Sequence, residues 1–128
     1  MASNNIKLNI MTYNLHGFNQ GSDYLKEVCE IELFDILFIQ EHWLTPDFMC
    51  KLDTLSVNYK VFGKSAMELT MSTGFLRGRP FGGVAVIIKK QFCHIVQKVF
   101  CEDRYVILFA NKYTIISKIG RASCRERV

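Results

Sequence analysis

The sequence predicts a mixed α/β domain with helices laid on the faces of a sheet. Three observations predict it. Helical and strand patterns alternate as β-α-β-α-β up to residue 64, and a run of short apolar strands follows from residue 83. Of the 128 residues, 49% are hydrophobic and 22% charged, which is enough apolar material for one core. With 8 Gly and only 2 Pro, collagen-like and low-complexity classes are excluded, as is disorder for the bulk of the chain.

Residues 1–5 are polar and read as a disordered N-terminus. Residues 6–13 mix Ile6, Leu8, Ile10 and Met11 with Lys7, Asn9 and Thr12, which predicts a strand ending in a turn at His16-Gly17. Residues 22–34 read as a helix capped by Ser22 or Asp23, with Leu25, Val28, Cys29, Glu32 and Leu33 on a mostly apolar face. The continuous run Ile36-Leu37-Phe38-Ile39 suits a strand covered on both faces. Thr45-Pro46-Asp47 starts a second helix, because Thr caps well, Pro fits the first helical position and Asp complements the dipole. Residues 59–64 form a strand, and residues 65–82, with Gly74, Gly78 and Gly82, a long loop. Further strands are predicted over 83–89, 94–100, 104–110 and 113–117, the last two joined by a hairpin turn at Asn111-Lys112.

The apolar runs are far shorter than the roughly 20 residues a membrane span needs, and residues 1–5 lack the charged start of a signal peptide. No membrane partner and no stable protein partner are expected. An intracellular protein is the expectation, with its compartment left open. The cysteines show no CxxC pair and read as reduced thiols. Gly74, Gly78, Gly82 and Gly83 are followed by no Gly-Lys-Ser/Thr, so they make no Walker loop.

Two strand ends carry polar groups suited to chemistry. Met11-Thr12-Tyr13-Asn14 puts Asn14 at the end of the first strand, and Phe38-Ile39-Gln40-Glu41-His42-Trp43 puts Glu41 at the end of the buried one. A carboxylate in such a place is costly unless it is paired or binds a metal, and Mg²⁺ takes one or two protein carboxylates while keeping several waters. The bland alternatives are a strand-end turn for Asn14 and a solvated residue for Glu41. His42 reads as an exposed loop residue, with membership of the site as the alternative, and Trp43 as packing rather than a base-stacking platform. Arg77 and Arg79 are candidate phosphate contacts, with a solvated loop as the alternative.

Taken together, Asn14, the pair Gln40-Glu41, the glycine-led strand Gly82-Gly83-Val84-Ala85-Val86-Ile87-Ile88 and the hairpin after Arg104 resemble the endonuclease/exonuclease/phosphatase superfamily, in order, over nearly all of residues 6–117. The runs Gln-Glu-His-Trp-Leu and Gly-Arg-Pro-Phe-Gly-Gly look most like its non-LTR retrotransposon endonucleases. The resemblance implies the N-terminal half of a DNase I-like α/β sandwich, two mixed, largely antiparallel sheets flanked by helices. It also implies Mg²⁺ held by Glu41, Asn14 positioning the metal site and scissile phosphate, and DNA as the parent protein's substrate. The family's remaining groups are a Tyr, an Asp-x-Asn motif and a final Asp and His. None has a matching motif here, so the expectation is an inactive fragment of an active parent. A lipid or inositol phosphate phosphoesterase of the same fold, and a non-catalytic remnant or binding module, are the alternatives.

Residues 119–128, Ile-Gly-Arg-Ala-Ser-Cys-Arg-Glu-Arg-Val, match the translation of a sequencing adapter, and Lys118 shares the suspect frame. Residues 118–128 are therefore read as an adapter-derived tail, with a genuine basic tail as the alternative. Lys118, Arg121, Arg125 and Arg127 are four of the sixteen basic residues, and Glu126 is one of the twelve acids. Through Ser117 the balance falls from +4 to +1, and the odd fifth cysteine disappears. A nucleic-acid substrate is thus inferred from the motifs and not from the charge.

Overall fold

The computed structural model describes residues 7–67, 81–102, 104–110 and 113–118. Its strands are β1 (Ile10–Asn14), β2 (Ile36–Gln40), β3 (Tyr59–Lys64), β4 (Val84–Lys89), β5 (Val96–Cys101), β6 (Tyr105–Ala110) and β7 (Tyr113–Lys118); α1 spans Phe18–Glu30. Short 3₁₀ helices occupy Pro46–Thr54 and Lys90–Ile95. Residues 1–5, Arg77, Arg79, the Asn111-Lys112 turn and residues 119–128 lie outside the described residues, as does most of the 65–82 loop.

Among the described residues two sheets form, ordered β1-β2-β4-β3 and β5-β6-β7. Of these strands only β1 and β2 pair in parallel; the other pairings are antiparallel. Strand β2 is buried along its whole length, as its unbroken apolar run requires. Leu37 and Ile39 face one way, with Ala85 and Ile87 of β4, into a core closed by Leu25, Val28 and Cys29 of α1 and by Leu52. Ile36 and Phe38 face the other way, with Val84, Val86 and Ile88, onto Val106, Leu108 and Ala110 of the second sheet. This is the expected sandwich of two sheets with helices on an outer face.

Several boundaries differ from the sequence reading. Strand β1 starts at Ile10 rather than residue 6, because the Asn9 backbone is already committed. Its N–H donates to Asp35 Oδ2 at 2.7 Å, and its carbonyl accepts from Asp35 and Ile36. Helix α1 starts at Phe18, four residues before the expected Ser22. His16 (φ 52°) and Gly17 (φ 93°) turn the chain at once, and the Phe18 N–H donates to the His42 carbonyl at 2.9 Å. Gly21, inside the first turns, lets α1 settle on Leu15, where a Cβ would collide with that side chain.

The same helix stops at Glu30, not Phe34. Glu32 adopts φ 51°, with Leu33 N–H donating to Val28 O and Glu32 N–H to Cys29 O, a Schellman end built on Glu instead of Gly. Phe34 is thereby released into the core against Tyr59, ring centroids 4.8 Å apart. The Thr45-Pro46 segment is helical as expected but of 3₁₀ type, and Thr45 makes no side-chain cap. Lys118, grouped with the tail on sequence grounds, pairs with Tyr105 as the last residue of β7.

The packing predicts a stability contrast within the second sheet. Leu108→Ala, at a fully buried inter-sheet position, is expected to cost about 2–5 kcal/mol. Ile116→Ala, 59% exposed in β7, is expected to cost less than about 0.5 kcal/mol. Urea denaturation of the two variants checks both; equal losses would contradict the inter-sheet core.

Candidate active site

Because β1 and β2 run parallel, both end at the same sheet edge, and their register sets Asn14 opposite Gln40. The chains stay side by side beyond the strands: Leu15 N–H donates to Gln40 O and Gly17 N–H to Glu41 O, both at 2.8 Å. On the other flank, Glu41 N–H donates to Gly83 O (2.8 Å) and Trp43 N–H to Gly82 O (2.9 Å). The segment 41–43 is thus gripped from both sides by backbone. It bends sharply all the same, since Glu41 (φ 60°) and Trp43 (φ 57°) both occupy the left-handed region. That conformation costs an L-residue on the order of 1–2 kcal/mol and recurs at functional sites.

The bend leaves Glu41 half-buried, and its Oε1 accepts the Trp43 indole N–H at 2.6 Å. Trp43 rests over Gly17, where a Cβ would sit 2.6 Å from the indole Cε3, and against His16, with ring centroids 4.8 Å apart. Packing was the sequence expectation for Trp43; the bond to the carboxylate is additional. Trp43 also lines a groove of about 420 Å³ with Phe18, Gln20, Phe48 and Lys51.

Asn14 is exposed, and its Oδ1 accepts the His16 N–H at 3.0 Å. The strand-end turn and a functional role are therefore compatible. The oxygen closes the turn, and the Nδ2 group remains a donor with no protein partner among the described residues.

His42 is where sequence reasoning failed. Expected on an exposed loop, it is fully buried. Its Nδ1 accepts the Leu44 N–H at 2.9 Å, so Nε2 carries the proton and donates to Lys64 O at 3.0 Å. Burial holds its pKa below the ordinary histidine value, with the Lys64 bond acting in the opposite sense, so the ring is a neutral structural pin. Gly83, at φ 96°, leaves space that the ring fills; a Cβ there would fall on it. The double glycine before β4 was the available signal, but nothing in the linear sequence pairs it with His42.

Gln40 was also missed as a positioning group. Its Nε2 donates to Thr12 Oγ1 (2.7 Å) and Ser117 Oγ (2.9 Å), tying β1, β2 and β7 together beside the site. Arg77 and Arg79 cannot be placed relative to it, lying outside the described residues.

The donor set bears on a metal. Among the described residues, no three His, Cys, Asp or Glu side chains converge. One carboxylate at a strand end fits a largely hydrated Mg²⁺ and does not fit a zinc site, which takes three or four side-chain ligands. The thiols of buried Cys29 and half-buried Cys101 do not compete: desolvation pushes both up to about 11, leaving them as uncharged packing groups. No described helix is long and apolar enough to cross a membrane.

Curated protein sequences gave no match. Among solved structures, the 3′ phosphatase NExo from Neisseria, bound to a product DNA hairpin, superposes with a TM-score of 0.62 at 15% identity, over 86% of this chain and 40% of that one. An AP endonuclease from Archaeoglobus fulgidus gives 0.61 at 16% identity, over 88% and 40%. The AP endonuclease LMAP from Leishmania major gives 0.57 at 17%, over 85% and 38%. These likenesses establish a shared DNase I-like fold, of whose length the chain spans about 40%. The sequence profile of the Endonuclease/Exonuclease/phosphatase family matches residues 11–124, extending past Ser117 into the stretch read as a tail. That one span takes in Asn14, Gln40-Glu41 and the glycine-led β4, and the chain belongs to the Endonuclease/Exonuclease/phosphatase family.

Proposed function

We propose that this chain is the N-terminal part of a Mg²⁺-dependent phosphodiesterase domain, the DNA endonuclease domain of a non-LTR retrotransposon polyprotein, and that residues 118–128 are adapter-derived. The observation that carries the reading is the meeting of Asn14 and Glu41 at one sheet edge, with Glu41 set on a strained, doubly anchored bend. Glu41 would hold the ion. Mg²⁺, when bound, supplies charge stabilisation for the phosphoryl oxygens and the leaving group. Asn14, its oxygen occupied by the turn, offers Nδ2 to a phosphate oxygen. Gln40 keeps the two sheets in register beneath them. Arg77 and Arg79 are proposed as further phosphate contacts. DNA as substrate accords with the DNA hairpin bound to the Neisseria 3′ phosphatase and with the two AP endonucleases of the same fold. The retrotransposon assignment rests on the runs 40–44 and 78–83.

Activation of the attacking water is left to residues beyond this chain, so the 128 residues alone are expected to show no nuclease activity. The outer face of the second sheet accords with a further layer, since Phe100, Tyr105 and Ile116 are 42%, 38% and 59% exposed there. Sequencing the source transcript past Ser117 tests the proposal. The expected continuation carries an Asp-x-Asn strand end and a later Asp-His pair; a continuation with neither refutes it.

A further inference from the structure

We infer that Trp43 is a positioning residue that sets the orientation of the Glu41 carboxylate and, through it, the preference of the site for Mg²⁺ over larger cations. The inference rests on the metal role proposed for Glu41. An exposed glutamate is free to rotate about its terminal torsion, so either oxygen, or both, can face a cation. Here the indole N–H fixes Oε1 at 2.6 Å, leaving Oε2 as the oxygen without that donor. One committed oxygen disfavours bidentate chelation. Mg²⁺ demands compact octahedral coordination and takes carboxylates singly, whereas Ca²⁺ accepts both oxygens of one carboxylate.

Several neighbours hold the indole in place. Trp43 meets the carboxylate two residues away with both residues at positive φ, near 60°. Gly17 is the surface on which the indole lies, and any side chain there would lift it. The His16 ring packs against the indole, with centroids 4.8 Å apart. Buried His42, bonded to Leu44 and Lys64, fixes the backbone between the two partners. An outer-shell partner of this kind typically changes metal affinity by about 10- to 100-fold when removed.

The chain has one tryptophan, so its ¹⁵N spectrum contains a single indole N–H resonance. Mg²⁺ titration of the 128-residue chain is expected to shift that resonance, and Glu41→Gln is expected to abolish the shift. Trp43→Phe keeps an aromatic ring and removes the donor. It is expected to weaken Mg²⁺ binding by about 10- to 100-fold, with a smaller loss for Ca²⁺, so that the Mg²⁺/Ca²⁺ preference narrows. Unchanged Mg²⁺ affinity and preference in Trp43→Phe would overturn the role of Trp43 and leave that of Glu41 standing. If Mg²⁺ moves no resonance of the wild-type chain, the metal reading of Glu41 falls, and this inference with it. Should Trp43→Phe fail to fold, the wild-type titration decides. An indole resonance that stays fixed while the Glu41 amide shifts overturns the inference; joint movement upholds it.

Discussion

Glu41→Ala in the intact protein is expected to abolish Mg²⁺-dependent nicking of supercoiled DNA, with a loss greater than about 100-fold, the upper end of what removing even an outer-shell partner costs. The expectation follows from the donor set. Glu41 is the carboxylate at the edge where β1 and β2 end together, and no cluster of three ligating side chains replaces it among the described residues. Fold stability should change little, because Glu41 is half-buried and its side-chain bond is to Trp43. Thermal unfolding alongside the nicking assay separates the two effects. Asn14→Ala should lower the rate by roughly 100-fold if its amide donates to charge developing on the phosphate. Wild-type cleavage by Glu41→Ala would refute the metal role, whatever the fold.

A large stability effect is expected at the Gly83–His42 contact. Gly83→Ala forces a Cβ onto a fully buried ring and places an L-residue at φ 96°. Overpacking and backbone strain together should cost about 3 kcal/mol or more. His42→Ala removes the ring together with its bonds to the Leu44 N–H and the Lys64 carbonyl, at a cost of about 3 kcal/mol. The double variant should be less destabilised than the sum of the singles, since the clash needs both partners. Burial depresses the His42 pKa, so the unfolded chain takes up the proton more readily than the folded one. Its contribution to stability is present above the unfolded value and is lost progressively as pH falls below about 6.5. Urea unfolding of the wild type and of His42→Gln between pH 7 and 5 checks this; parallel pH dependence in both would contradict it.

The fold was legible wherever local pattern and tertiary environment agree. The run 36–39 announced a strand buried on both faces, and β3 lies where its sequence placed it, at Tyr59–Lys64. Asn14 and Glu41 were legible as strand-end polar groups because β1 mixes apolar with polar residues up to its end and β2 has a continuous apolar body. Failures arose where long-range contacts decide. Glu32 ends α1 in a conformation usually given to Gly, and Phe34, which looked helical, is drawn into the core by Tyr59. His42 looked like a loop residue because its partners, Lys64 and Gly83, are distant in sequence. Likewise, the bond from Gln40 to Ser117 spans 77 positions, and no periodicity reports it.

The central claim is that the edge formed by Asn14 and Glu41 is a divalent-metal site for phosphodiester chemistry. The most direct measurement is a Mg²⁺ titration followed residue by residue in the NMR spectra of the wild-type chain and of Glu41→Gln. Saturable shifts centred on the Glu41 backbone and the Asn14 side-chain amide, absent in the variant, are predicted. Shifts that persist unchanged in Glu41→Gln, or that centre on another part of the fold, would contradict the account.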